Sequence, residues 1–544
     1  MHLDFSLIAD TAFDTDICII GSGAAGFACA VSLLGSGFRV LVVESGLHQP
    51  HEQLTDLYRG EVSSQPHTGV HEGRARVVGG TTTKWGGQAL PFMSEDFGHR
   101  PHVRESGWPI AASELAPYYQ KAERILGTDP TVPFGYQPWQ DWGVKQPAFS
   151  AHTIELLVTK WCKVPNFAQQ HGDKIGQSAT VDLLRNASVT ELLPTADASA
   201  VQAIEIRSLE GKTGRITARY VVMAAGSIES VRLFLSSTAF GREGLGNEHG
   251  LVGKFFQDHV AATVGQVLPK SRKWMHDIFD PFYRHGFKYL PRLRLSPALA
   301  QELRVLHASA QVLFPAEARS PLTVGKRLLA SLRRRQMPRA EELKVLASPR
   351  LLLTMAQGLL RWKLGQRGSS AGTGPIWLEV HSEQEPQATS YITLGADTDA
   401  LRMRRVRLHW TISDLTASTI KTVAQLLKKE FEQAGLGTVE LLPWLTDDTA
   451  DPRRWFADTF HQAGGLRMAT SETKGVVDAS CKVFGLSNLY VASSAVFPTS
   501  SFSNPTMTII ALAIRLSEEI TRRLHAENEP PARLAQPVPA RAQA

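Results

Sequence analysis

Apolar and polar positions along this chain follow two periods. Ile17 to Ile20 is a short apolar run suited to a buried parallel strand. Phe27 to Leu34 continues as a helix, Gly35 to Gly37 breaks it, and Val40 to Val43 is a second apolar strand. Residues 181–194 and 201–208 alternate as strands, and Arg219 to Met223 forms another. Ala224-Ala225-Gly226 ends that strand before a helix over Ile228 to Leu235. Farther on, β patterning covers His259 to Pro269, Val305 to Pro315, Ile376 to Leu394 and Arg404 to Ser413. Leu415 to Ala434 reads as a helix, with Ser413 or Asp414 as N-cap and Gly435 as its stop. A last helix runs from Thr506 to Ile520 behind Pro505, which disfavours helix at Asn504 itself.

This order predicts an α/β chain, α+β overall. A Rossmann-like domain draws on residues 14–95, 180–258 and 455–525. A substrate domain built on an antiparallel sheet is inserted from 96–179 and 259–454. Residues 526–544, rich in Pro, Ala and Gln, predict a disordered tail.

Composition narrows the chemistry. The 544 residues, 43% hydrophobic and 20% charged, fit a globular enzyme of two or three domains. Cys18, Cys29, Cys162 and Cys481 are scattered with no C-x-x-C spacing, which disfavours zinc, iron–sulfur and attached haem. His48, His51, His67 and His71 cluster, but no cysteine or acid completes a metal set, so no metal is expected. Asp258-His259 reads as a structural polar pair, since no G-x-S-x-G elbow accompanies it. No basic motif with interleaved aromatics points to nucleic acid. No signal segment and no apolar run of membrane-spanning length is visible, so the expected location is the cytoplasm.

Charge changes the picture at one place. The net charge is +6, yet residues 316–368 hold twelve Lys/Arg against three Glu, leaving the remainder at −3 (6 − 9). Leucines and basic residues share this stretch, which predicts a basic helical insertion. Three uses suit it: a solvated cover over the substrate domain, a peripheral contact with an anionic membrane, or a face for an acidic partner.

Gly21, Gly23 and Gly26 fall in the G-x-G-x-x-G spacing, with Ser22, Ala24 and Ala25 as small fillers, inside a strand–turn–helix–strand setting. The first glycine permits the tight turn. The second lets a pyrophosphate approach backbone N–H groups and the positive helix end. The third lets the helix pack on the strand. Glu44, followed by Ser45, ends the next strand eighteen residues after Gly26. A carboxylate there suits the ribose hydroxyls of an adenosine, and FAD and NAD both use such a segment. A second Gly-rich loop carries Gly79, Gly80, Thr81, Trp85, Gly86 and Gly87, where a flat ring or phosphate can lie on the backbone. Ala225 and Gly226 offer a third close approach.

Near the other end, His461 follows a segment that reads as helical and precedes Gly464-Gly465. Oxidising an alcohol by hydride transfer requires the hydroxyl proton to leave, and a neutral imidazole is a natural base for it. The Asn504 amide can hold the same oxygen.

Over almost its whole length the chain resembles the glucose–methanol–choline (GMC) flavoprotein oxidoreductases, closest to a bacterial branch acting on sugar-like and aminoglycoside alcohols. The matching text is the glycine fingerprint with Glu44, RVVGGTTTKWGG at 76–87, SGWPI and ELAPYY at 106–119, AAGSIES at 224–230, GLGNEHGLVGKFFQDH at 244–259, HQAGGLRMA at 461–469, GVVD at 475–478 and NLYVASSAVFPTSSFSNPTMTIIALAIRL at 488–516. The resemblance implies FAD as cofactor, His461 as catalytic base and Asn504 as its partner. It also places Val189 near adenine, and Ala495, Asn504, Pro505 and Thr506 against the isoalloxazine. Some members attach flavin through a histidine in the second Gly-rich loop; Lys84 stands there, which implies non-covalent FAD. His461 to Gly465 varies the usual H-x-x-G-T, and the basic stretch at 316–368 lies outside the general pattern. The implied activity is oxidation of a small-molecule alcohol, with oxygen or an organic, quinone-like compound as electron acceptor. The alternatives are a flavin-containing lyase or other non-redox enzyme of this fold, and a membrane-associated dehydrogenase delivering electrons to a quinone.

Overall fold

The computed structural model describes residues 1–315, 331, 349–368, 374–447 and 449–529. Three sheets organise the described residues. In the eight-stranded sheet, His2–Asp4, Val181–Arg185, Val40–Val43, Ala12–Ile20 and Thr213–Met223 run parallel in that order. Leu489–Val491 also pairs parallel with Thr213–Met223, and Val201–Arg207 and Ser188–Pro194 extend the sheet antiparallel. Val40–Val43 is buried at every position, as a strand covered on both faces must be. The registers align Ile20 with both Val43 and Met223. Three turns therefore leave the sheet side by side: Gly21 to Gly23, Glu44 to Gly46, and Ala224 to Gly226. Open α/β sheets bind ligands at such carboxyl ends.

The nine-stranded sheet is antiparallel throughout, in the order Gly437–Leu441, Val260–Pro269, Ile376–Ser382, Ala308–Leu313, Phe287–Leu295, Ile154–Trp161 and Gln88–Ala89, with two short strands off this path. Alternation divides its faces. Val260, Ala262, Leu378, Val380 and Ala310 are buried on one face. Helix Asp414–Gln433 supplies the apolar partners Ile420, Val423, Leu427 and Phe431, all fully buried or nearly so. Each such side chain contributes about 1.5–3 kcal/mol. Ser413 caps this helix by accepting the Thr416 N–H at 3.1 Å. The other face carries Arg292, Gln311, Glu379 and His381, with Gln311 Nε2 donating to Glu379 Oε1 at 2.7 Å.

Several elements depart from the sequence pattern. Ile376 to Leu394 is two strands, Ile376–Ser382 and Tyr391–Thr398, the second in a three-stranded sheet with Arg404–Trp410 and Glu61–Ser64. Between them, buried Glu383 pairs with Arg100, and buried Gln384 accepts from Asp258 N and Trp410 Nε1, so polar anchoring overrides β patterning. No helix directly precedes His461; a 3-10 turn, Pro452–Trp455, and a two-residue strand, Ala457–Asp458, do. The last helix extends from Thr506 to Asn528, so residues 526–528 are helical rather than disordered tail. His2–Asp4, ahead of residue 14, joins the eight-stranded sheet, while Gln88–Ala89 joins the nine-stranded one. Helices Ala112–Leu126 and Phe167–Gly176, inside 96–179, pack on Thr506–Asn528 and Ala24–Ser32 respectively. Of the basic insertion, helix Pro349–Gly365 is seen. Residues 316–330 and 332–348, and the tail from 530, lie outside the described residues.

Candidate active site

A cavity of about 530 Å³ opens at the carboxyl ends of the parallel strands and runs to the loop of His461. Gly21, Gly23, Ala25, Glu44, Ser45, Gly80, Thr81, Trp85, Gly86, Val189, Ala225, Gly226, His461, Asn504, Pro505 and Thr506 line it. Four residues expected at the cofactor do not. Gly26 lies beneath the turn, where an added Cβ would stand 1.9 Å from Gly21 O, so it sets helix–strand packing. Gly79 caps a 3-10 turn and donates to Ser22 Oγ at 3.3 Å. The Gly87 carbonyl accepts from Cys162 N at 2.8 Å. Ala495 is fully buried behind Ala492, Ser493 and Ser494, which line the cavity instead.

The nucleotide end is built from backbone. Helix Ala24–Ser32 has Gly23 as N-cap with no side-chain cap, so its first N–H groups face the cavity. An added Cβ on Gly23 would meet nothing within 4 Å: the space there belongs to the cavity. Glu44 lines it, but Oε2 accepts both the N–H and hydroxyl of Ser22, at 2.9 and 2.7 Å. Oε1 accepts Gly46 N at 2.7 Å and the Ser45 hydroxyl at a longer 3.4 Å, so a ribose hydroxyl would take the place of Ser45 on that oxygen. Sequence patterning missed a charged wall. Arg76, Glu229, Arg232 and Asp399 also line the cavity. Burial pushes the Glu229 carboxyl up, but Arg76, Arg232 and Arg74 hold it down at about 2. These residues come from a loop, a helix and a sheet connection far apart in sequence, so no local spacing betrays them.

At the other end, His461 and Asn504 meet: Asn504 Nδ2 lies 3.2 Å from His461 Nε2. Pro505 follows Asn504 and Thr506–Asn528 begins there, so the amide sits at the mouth of a helix. His461 N donates to Asp258 Oδ1 at 2.9 Å, and Gly464 keeps the turn open. A Cβ on Gly464, at φ 73°, would stand 2.0 Å from Phe255 O. Behind the ring, His461 Nδ1 lies 2.9 Å from Thr459 Oγ1 and 3.0 Å from His259 Nδ1. Burial, then the neighbouring His259, hold the His461 imidazole well below its usual 6.5. It is a neutral base at neutral pH.

His67 leaves the cluster of four histidines and enters this network, its Nε2 3.2 Å from Asp258 Oδ2. His67, Asp258 and Asp458 bring ligand atoms within 4.8 Å of one another. Asp458 accepts the N–H groups of Thr68 and Gly69, and His67 turns different nitrogens to the two acids. The group is a hydrogen-bonded brace for the loop.

Residues 386–513, which carry His461, Asn504 and the strand ahead of them, match the GMC oxidoreductase family. This part of the chain is a GMC oxidoreductase C-terminal domain. Over 94% of its length it is 24% identical to 96% of 2-methyl-1,2-propanediol dehydrogenase from Mycolicibacterium austroafricanum. It is 20% identical to the fructose dehydrogenase large subunit of Gluconobacter japonicus, over 95% of this chain and 99% of that one. A crystal structure of formate oxidase shares the fold with a TM-score of 0.55, at 16% identity, over 95% of this chain and all of the other. The GMC oxidoreductase match, with a formate oxidase of the same fold in which FAD is modified, points to FAD as the cofactor. The uncapped helix at Gly23, the open space above it and the acceptor on Glu44 fit an adenosine pyrophosphate. The broad, backbone-lined remainder ends at the imidazole–amide pair.

Proposed function

We propose that this protein oxidises an alcohol group on a sugar-like or polyol substrate. When bound, FAD supplies the acceptor for the hydride. The first helical turn after Gly23 and the Glu44 carboxylate would hold its nucleotide half, and Trp85, Gly86 and Thr506 would border the ring half. His461 Nε2 takes the hydroxyl proton of the alcohol, while the carbinol C–H leaves as hydride and a carbonyl forms. The Asn504 amide donates a hydrogen bond to the same oxygen and fixes its carbon. The depressed basicity of His461 keeps its lone pair free at neutral pH. Contacts of its Nδ1 with Thr459 and His259 hold the ring in place.

The 3.2 Å approach of Asn504 to His461, on the wall of the cavity that opens at Gly23, carries this reading. A diol and a hexose name the two relatives above, which supports a hydroxylated substrate. Oxygen, or an organic or quinone-like compound, reoxidises the cofactor. FAD is held without a covalent bond. The test is anaerobic mixing of the purified yellow protein with a panel of sugars, polyols and simple alcohols. A sugar or polyol should bleach the flavin; colour that persists with every alcohol favours a lyase. Admitting air to the bleached sample separates the acceptors, since immediate return of colour identifies an oxidase.

A second reading concerns location. Among the described residues no helix is long and apolar enough to cross a membrane. Helix Pro349–Gly365 exposes Leu353, Leu360 and Trp362, each more than half accessible, within the stretch carrying the +9 excess. Apolar side chains amid positive charge suit peripheral contact with an anionic bilayer. Sedimentation with phosphatidylserine liposomes should depend on residues 316–368; binding that survives their deletion removes this reading.

A further inference from the structure

The proposed chemistry needs the lone pair of His461 on Nε2, the nitrogen beside Asn504. A neutral imidazole carries one proton, and either nitrogen can hold it. We infer that His259, fixed by the carbonyl of Ser500, holds that proton on Nδ1 of His461 and so selects Nε2 as the base.

The assignment follows from one end of a short chain of hydrogen bonds. Ser500 O can only accept. It lies 3.1 Å from His259 Nε2, so that nitrogen carries a proton and donates. Ser501, at φ 54°, occupies the left-handed region and turns the strand of loop that presents this carbonyl. His259 is fully buried, and burial holds its basicity below the ordinary 6.5, so its ring carries no second proton at neutral pH. Its Nδ1 is therefore an acceptor. His461 Nδ1 stands 3.0 Å away. If that atom were also bare, two lone pairs would face each other at hydrogen-bond distance. With the proton on His461 Nδ1, the contact becomes a donated bond and Nε2 is left free.

Thr459 cannot make this choice. Its hydroxyl lies 2.9 Å from His461 Nδ1 but can donate or accept. Its donation to Asp258 Oδ1, at 3.3 Å, agrees with the tautomer His259 imposes. Asp258 is fully buried and ionised: burial raises its carboxyl, and His67 with the surrounding imidazoles brings it below the ordinary range. Other groups bear on the pair as well. Arg292 and His381 disfavour a positive His461, and Glu383 weakly favours a positive His259. His381 is itself neutral, pushed down to about 4 by burial and then by Arg292.

Protonating His259 would reverse the relay. Both its nitrogens would then donate, His461 Nδ1 would have to accept, and the proton of His461 would move to Nε2. Acid would thus disable the base without charging it. His259 is a positioning residue: it touches neither substrate nor cofactor, and its role rests on the reading of His461 as the base.

The test uses FAD-loaded protein labelled with [15N]histidine, in which the resonances lost in His461→Ala identify His461. At neutral pH they should report a protonated Nδ1 and a bare Nε2; a protonated Nε2 overturns the inference whether or not any alcohol is oxidised. His259→Leu removes the acceptor and His259→Asn offers its Oδ1 in place of Nδ1. With FAD content unchanged, the leucine variant should slow anaerobic flavin reduction about tenfold to a hundredfold, with KM little altered. The asparagine variant should recover most of that loss. Equal rates in all three proteins, or equal loss in both variants, contradict the relay.

Discussion

Asn504 Nδ2 and His461 Nε2 lie 3.2 Å apart although forty-three residues separate them in sequence. Two structural facts close that gap. The His461 loop is pinned to buried Asp258, and Asn504 is held by the start of the Thr506–Asn528 helix. A substrate hydroxyl that reaches the pair finds an acceptor and a donor converging on one oxygen. Asn504→Ala removes the donor and leaves the base. Flavin reduction should slow by about tenfold to a hundredfold at saturating substrate, read by anaerobic stopped flow.

The acid side of the rate profile follows from the depressed imidazole. His461 is held well below 6.5 by burial and by His259, so its lone pair persists as pH falls through neutrality. The rate of flavin reduction should stay level between pH 8 and 6.5 and fall only in more acidic solution. Stability should fall in the same direction, because the unfolded chain, with an ordinary imidazole, binds its proton at higher pH than the folded one.

Much of this was legible along the chain. Val40 to Val43 matches its strand residue for residue, because a strand buried on both faces must be apolar throughout. The Gly21–Gly26 turn was equally plain, since its glycine spacing encodes a tight passage from strand to helix. The long β segment at 376–394 misled, because buried Glu383 and Gln384 look like strand residues until their distant partners, Arg100 and Trp410, are known. For the same reason Asp258-His259 read as a structural pair. Their meaning depends on His67, Ser500 and His461, which only the fold brings together.

Gly26 offers a test of the cradle that does not involve catalysis. A methyl group there would stand 1.9 Å from the Gly21 carbonyl, far inside contact distance. Gly26→Ala should push the helix off the strand at a cost of about 1–3 kcal/mol and release the cofactor. Purified variant should show a reduced flavin-to-protein absorbance ratio and a lowered melting temperature.

By resemblance Lys84 stands where some GMC oxidoreductases carry a flavin-linking histidine, and its Nζ donates to Arg74 O at 3.2 Å. Acid precipitation of the native protein should leave the yellow colour in the supernatant. Colour retained in the pellet after washing would reveal an attachment elsewhere.

The most direct measurement compares flavin reduction in the native protein and in His461→Ala, both loaded with FAD, anaerobic and mixed with the best sugar or polyol. The variant should bind FAD normally and be reduced at least about a hundredfold more slowly. A near-native rate in His461→Ala would remove His461 as the base and with it the proposed chemistry.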